Sequence, residues 1–136
     1  MSTKIFVNLP VKDLGKSIDF FTALGFSFNP QFTDENATCM VISDGIYVML
    51  LTEPFFKSFT NKDVADTTKS TEAIIALGVD SRQQVDEMVD KALASGGQPG
   101  RFSNDEDFMY GRSFQDHDGH LWEVLYMDPT MVPEQA

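Results

Sequence analysis

The residues best suited to chemistry lie in one stretch, residues 114–125, which reads FQDHDGHLWEVL. It holds His117 and His120, the only two histidines of the chain, and Glu123, a lone carboxylate among apolar residues. Imidazole nitrogens and carboxylate oxygens can bind a divalent metal, and a carboxylate can act as a general acid or base. In a strand alternate residues share a face. Leu121, Glu123, Leu125 and Met127 then form one face, and Trp122, Val124 and Tyr126 the other. His120 falls on the parity opposite to Glu123, and Asp118-Gly119 is ordinary turn chemistry. The histidines are expected as solvent-exposed turn residues rather than metal ligands, and Glu123 is the candidate catalytic residue.

Burying an ionised carboxylate is costly, so Glu123 should find a donor or shift its pKa upward. A hairpin folded about Asp118 sets Ser113 opposite Glu123, and Ser113 could donate a hydrogen bond. Asn8, and Tyr110 or Arg112 depending on register, are the other candidate donors. Two functional roles stay open: a general acid or base, and an anchor for a ligand's hydroxyl or cationic group. The structural alternative is a carboxylate held by the backbone or a neighbour.

The elements that must position these residues can be read from periodicity. Residues 4–9, KIFVNL, alternate as a strand, with Pro10 expected to end it. Asp13 is a helix cap, Leu14, Ile18, Phe21 and Leu24 fall at helical spacing, and Gly25 is a terminator. FSFNPQFT, ATCMVIS and IYVMLLT follow as strands, the last two joined by the hairpin signal Asp44-Gly45. Cys39, Met40 and Met49 are expected as core, and the lone Cys39 permits no internal disulfide. Residues 53–71 are polar apart from Phe55, Phe56 and Phe59 and read as a long connecting loop that could hold a short helix. The three phenylalanines would either line a cavity mouth or cover a core edge.

The second half repeats the order. EAIIALGV is a strand, and Ser81 with Gln84 has the capping-box form. Val85, Met88, Val89 and Ala92 share a helical face, and QPGRFSN, FMYGRSFQ and LWEVLYM are strands. Trp122 and Tyr126 are expected to pack beneath helices. IFVNLPVKD aligns with AIIALGVDS, placing Phe6 on Ile74, Leu9 on Leu77 and Val11 on Val79. The expectation is a single domain over residues 1–136. It comprises a β-α-β-β-β module over 4–52, the connecting loop 53–71, a second such module over 72–127 and a tail over 128–136.

Three stretches in order, VNLPVKDLGKSIDFFTALGF, IIALGVDS and DHDGHLWEVL, resemble the vicinal oxygen chelate superfamily. This superfamily includes glyoxalase I, extradiol dioxygenases, fosfomycin-resistance enzymes and bleomycin-resistance proteins. The resemblance implies an α+β fold of two βαβββ modules forming curved mixed sheets around a cavity. In metal-dependent members, four strands supply ligands there, usually His, Gln or Glu. The resemblance places those positions at Phe6, Leu50, Ile74 and Glu123, of which only Glu123 carries a donor. A divalent site needs several converging N or O donors, so the pattern argues against a metal cofactor. The expected ligand-binding residues are Asn8, Phe6, Leu50, Ile74, Ser113, Phe55 and Phe56, around the catalytic candidate Glu123.

Ten basic residues against 21 acidic give a net charge of −11. Such a field repels nucleic acid and anionic membrane surfaces, and it either attracts a small cationic ligand or serves only to keep the surface soluble. The longest apolar run, residues 46–51, is far too short to span a membrane. The opening MSTKIFVNLP lacks a basic region followed by an apolar one, so a cytoplasmic protein is expected. Together these point to a small-molecule-binding protein with a degenerate metal site, sequestering a cationic ligand. Resemblance to bleomycin-resistance proteins adds a homodimer. The alternative is a lyase, isomerase or dioxygenase using an unrecognised metal site or Glu123 as acid or base.

Overall fold

The computed structural model describes residues 2–130. Residues 131–136 of the expected tail lie outside the described ones. The chain divides between Asp66 and Thr67 into two compact units. Each unit holds one four-stranded mixed sheet with a helix packed on it.

In the first unit β1 (Ile5–Val11) leads into α1 (Leu14–Ala23), then β2 (Ser27–Asn29), a short 3-10 turn, β3 (Ala37–Ser43), β4 (Ile46–Thr52) and the one-turn helix α2 (Glu53–Lys57). The sheet order is β1-β4-β3-β2, with β1 parallel to β4 and the other pairs antiparallel. Asp13 caps α1 by accepting from the Lys16 amide at 3.0 Å. Gly45 turns the β3–β4 hairpin with φ +79°, a conformation that costs glycine little.

Contrary to expectation, β1 does not stop at Pro10 but continues through it to Val11, opposite Leu51 and Thr52. Proline is tolerated because β1 is an edge strand with one neighbour. The buried face of α1 is Leu14, Ser17, Phe20 and Phe21, so Ile18 sits at its flank.

Strand register assigns the two faces of this sheet. Leu9, Val48, Leu50, Thr38 and Met40 pair across β1, β4 and β3 on one face and are all buried, with α1 against it. Phe6, Asn8, Tyr47, Met49 and Cys39 lie on the other, open face. The expectation that Leu50 faces a ligand is therefore wrong by one residue, since Leu50 is 0% exposed beneath the helix side.

The second unit has the same topology: β5 (Ile74–Gly78), α3 (Arg82–Ala94), β6 (Gln98–Asp105), β7 (Met109–Gln115) and β8 (Leu121–Met127), in order β5-β8-β7-β6. The repeat read from the sequence is thus a repeat of topology, with β5 parallel to β8 as β1 is to β4. Ser81 caps α3 through the Gln84 amide, while the Gln84 side chain accepts from the Asp80 amide at 2.7 Å rather than from that of Ser81. Val85, Val89 and Ala92 pack over Phe114, Trp122 and Val124, all fully buried, with the Phe114 and Trp122 rings parallel at 6.2 Å.

Polar contacts pin α3 to β7. Asp86 accepts from Tyr110 at 2.6 Å and from Arg112 at 2.9 Å, and Arg112 also donates to Asp90 at 3.0 Å. The hydrogen bonds from Tyr110 and then Arg112 hold the Asp86 carboxyl below its usual value of 3.8. Its stabilising contribution is then complete above that value and is lost as pH falls through the lowered one.

Two outcomes are expected. Leu50→Ala should destabilise the protein by about 2–5 kcal/mol, whereas Met49→Ala should cost far less, as read from urea unfolding. Asp86→Asn should lower Tm at neutral pH, and the gap to the parent should close once pH drops well below 3.8.

Candidate functional site

β8 owes its orientation to a buried carboxylate two positions before the expected turn residues. Asp116 is 6% exposed. One of its oxygens accepts from the backbone amides of Asp118 at 2.9 Å and His120 at 3.1 Å. The other accepts from the Trp122 indole at 3.0 Å. Burial pushes the Asp116 carboxyl up, and the charge of His120 and these three donors oppose that shift. With Trp122 drawn inward to Asp116, Glu123 must point to the opposite face.

His120 corrects the expectation of exposed turn histidines. It is 4% exposed and lies 3.9 Å from the Glu72 carboxylate, as part of the packed turn. His117 is half-buried and fills the space a side chain at Gly96 would take. Gly119 completes the turn with φ +84°, and a Cβ there would come within 2.6 Å of the Thr67 carbonyl oxygen. Thr67 donates its hydroxyl to the Asp118 carbonyl. The segment 67–71, TTKST, is thereby docked onto the β7–β8 turn and forms one wall of a pocket.

That pocket has a volume of about 620 Å³ and belongs wholly to the second unit. Its floor is the open sheet face, where Ile74 pairs with Leu121 and Ser113 with Glu123. The register expected from the hairpin therefore holds. Ser113, however, donates its hydroxyl to the Phe102 carbonyl at 2.8 Å, not to Glu123. Tyr110 and Arg112 lie on the opposite face with Asp86, so neither serves Glu123. Among the described residues no hydrogen bond or ion pair reaches the half-buried Glu123 carboxylate. Lys69 and Arg101 line the same pocket, and neither has an ion-pair partner there.

In the first unit, Phe6 and Asn8 lie on the open face, with Phe6 stacked on Tyr47 at 4.9 Å and 17°. With Lys4, Phe32, Cys39 and Met49 they line a pocket of about 550 Å³. Asn8 donates its amide to the Phe6 carbonyl at 3.2 Å. Phe56, with Phe59, Leu51 and Asn8, lines a smaller recess of about 350 Å³. Phe55 instead meets Phe59 edge-on, with ring centroids 5.1 Å apart.

The parallel registers identify the residue that sequence reasoning missed. Phe6 is opposite Tyr47 and Asn8 opposite Met49, as Ile74 is opposite Leu121 and Ala76 opposite Glu123. Met49, not Leu50, is the counterpart of Glu123. A thioether is a soft ligand that does not suit a hard divalent ion, and Phe6 and Ile74 offer no donor. The residues present do not fit such an ion, and among the described residues no three His, Cys, Asp or Glu side chains cluster to hold one.

Residues 3–43 match the family described as bleomycin resistance protein-like N-terminal. A hypothetical protein from S. aureus is 32% identical over 93% of this chain and 95% of its own, with a TM-score of 0.77. A glyoxalase/bleomycin resistance protein/dioxygenase family enzyme from Burkholderia phytofirmans matches 93% of this chain and 100% of its own, at 13% identity and TM-score 0.75. The chain belongs to the vicinal oxygen chelate superfamily. The superfamily fold extends to the fosfomycin resistance protein FosX from Mesorhizobium loti, at 14% identity over 96% of both chains and a TM-score of 0.68. No curated protein matches the sequence at a significant level. No helix among the described residues is long and apolar enough to cross a membrane.

Glu123 lies on the open face of β8, opposite to the face that carries Trp122. The support for that carboxylate is testable. Asp116→Ala would strand three buried donors and should cost about 3 kcal/mol or more, read from chemical denaturation.

Proposed function

We propose that this protein binds a small organic molecule in the pocket between segment 67–71 and the open face of β5, β8 and β7, without a divalent metal. The observation that carries this reading is Glu123. A half-buried carboxylate with no partner among the described residues, in a pocket of about 620 Å³, is a polar group left for a ligand to satisfy. Ile74, Leu121 and Phe102 supply apolar contact. Ser113 and Gln115 flank Glu123 along β7 and add polar groups. Glu123 then anchors a hydroxyl or cationic group of the ligand.

The family whose N-terminal region this chain matches is named for bleomycin resistance, and sequestration of a bound molecule is the activity that agrees with a carboxylate anchor lacking metal. The open face of the first unit exposes Phe6 at 52% and Phe32 at 61%. Its aromatic pocket is a further surface for apolar contact, and we read the protein as a homodimer by the same resemblance.

The reading is tested by differential scanning fluorimetry against a small-molecule library. Ligands should raise Tm, the rise should be unchanged by chelator, and Glu123→Leu should abolish it while leaving the unliganded Tm near that of the parent. Stabilising ligands that bind Glu123→Leu equally well, or only in the presence of added metal, would overturn it.

A further inference from the structure

The charge of the Glu123 pocket runs against the charge of the chain. Two of the ten basic residues, Lys69 and Arg101, line it, with Glu123 the carboxylate among its lining residues. Arg112, Arg82 and Lys57 are each paired with aspartates elsewhere. Lys69, Arg101 and Glu123 have no ion pair among the described residues, either with one another or with a neighbour.

Three untied charges of both signs facing one pocket constrain what can enter it. A simple cation would be attracted to Glu123 and repelled by Lys69 and Arg101. A simple anion would be drawn to the two cations but repelled by Glu123 and by the chain's charge of −11. A molecule with both kinds of group can place each beside its complement and form charge-assisted hydrogen bonds at both ends. The wall supports the same division. Lys69 sits on the wall formed by segment 67–71, while the floor beside Glu123 carries Gln115 and Ser113.

Resting on the reading that this pocket is the ligand site, we infer that its ligand is amphoteric. An ammonium group meets Glu123, and an acidic group meets Arg101 and Lys69. The charge of the whole chain led to a purely cationic ligand, and the pocket lining replaces that expectation.

The test uses the full chain and amide NMR titrations. The probes are ω-amino acids of three to six carbons, with carboxylic acids and primary amines of matched length. At least one ω-amino acid should shift pocket resonances and bind about tenfold more tightly than its matched acid and amine. Glu123→Gln should erase the preference over the acid, and Arg101→Met with Lys69→Met the preference over the amine. Acids or amines binding as tightly as the amino acids would overturn the inference, as would silence of the whole series. If library ligands still require Glu123 in either case, the pocket reading survives and only the amphoteric assignment falls.

Discussion

The contact on which the second unit depends is the triple acceptance by Asp116. Its carboxylate fixes the amides of Asp118 and His120 and the indole of Trp122 in one buried cluster. This sets where β8 begins and which of its faces is inward. A strand has only two choices of face, and a one-residue slip would exchange them. Trp122 on the core side, tied to Asp116, is what places Glu123 on the open side. The same turn presents the Asp118 carbonyl to Thr67, and so carries the wall that bears Lys69. Packing, turn geometry and the pocket are thus consequences of one buried carboxylate.

The two units show how one topology diverges under different side chains. Both sheets keep one face for a helix and leave the other open. In the first unit the open face holds the stacked Phe6 and Tyr47, with Met49 in the place of Glu123. In the second it holds Glu123, with Ile74 and Ala76 beside it on β5. Phe6, Met49 and Ile74 offer no hard oxygen or nitrogen donor at these register positions, and Glu123 is the carboxylate on the open face of β8. Such a group has a strong demand for hydrogen bonding, and among the described residues no partner meets it.

Much of the fold was legible because alternation and capping are local. β3 and β4 begin and end where ATCMVIS and IYVMLLT do, and Asp13 and Ser81 cap the helices expected of them. The facing of Leu50 was not legible because residues 46–51 are apolar almost throughout, so no polar residue marks the open side. Register with Leu9 and Thr38 supplies that information only in three dimensions. The position of Glu123 opposite Ser113 was legible from hairpin symmetry, but the competing acceptor, the Phe102 carbonyl, comes from a neighbouring strand. The role of Asp116 was not legible because its indole partner is six positions away. Segment 67–71 read as connection because nothing local shows that it docks on a distant turn.

Glu123 is proposed to work as a carboxylate without a metal. Elemental analysis of the protein purified without chelator tests it most directly. No divalent ion should be present in stoichiometric amount, in the parent and in Glu123→Ala alike. One equivalent of a divalent ion that is lost in Glu123→Ala would contradict it.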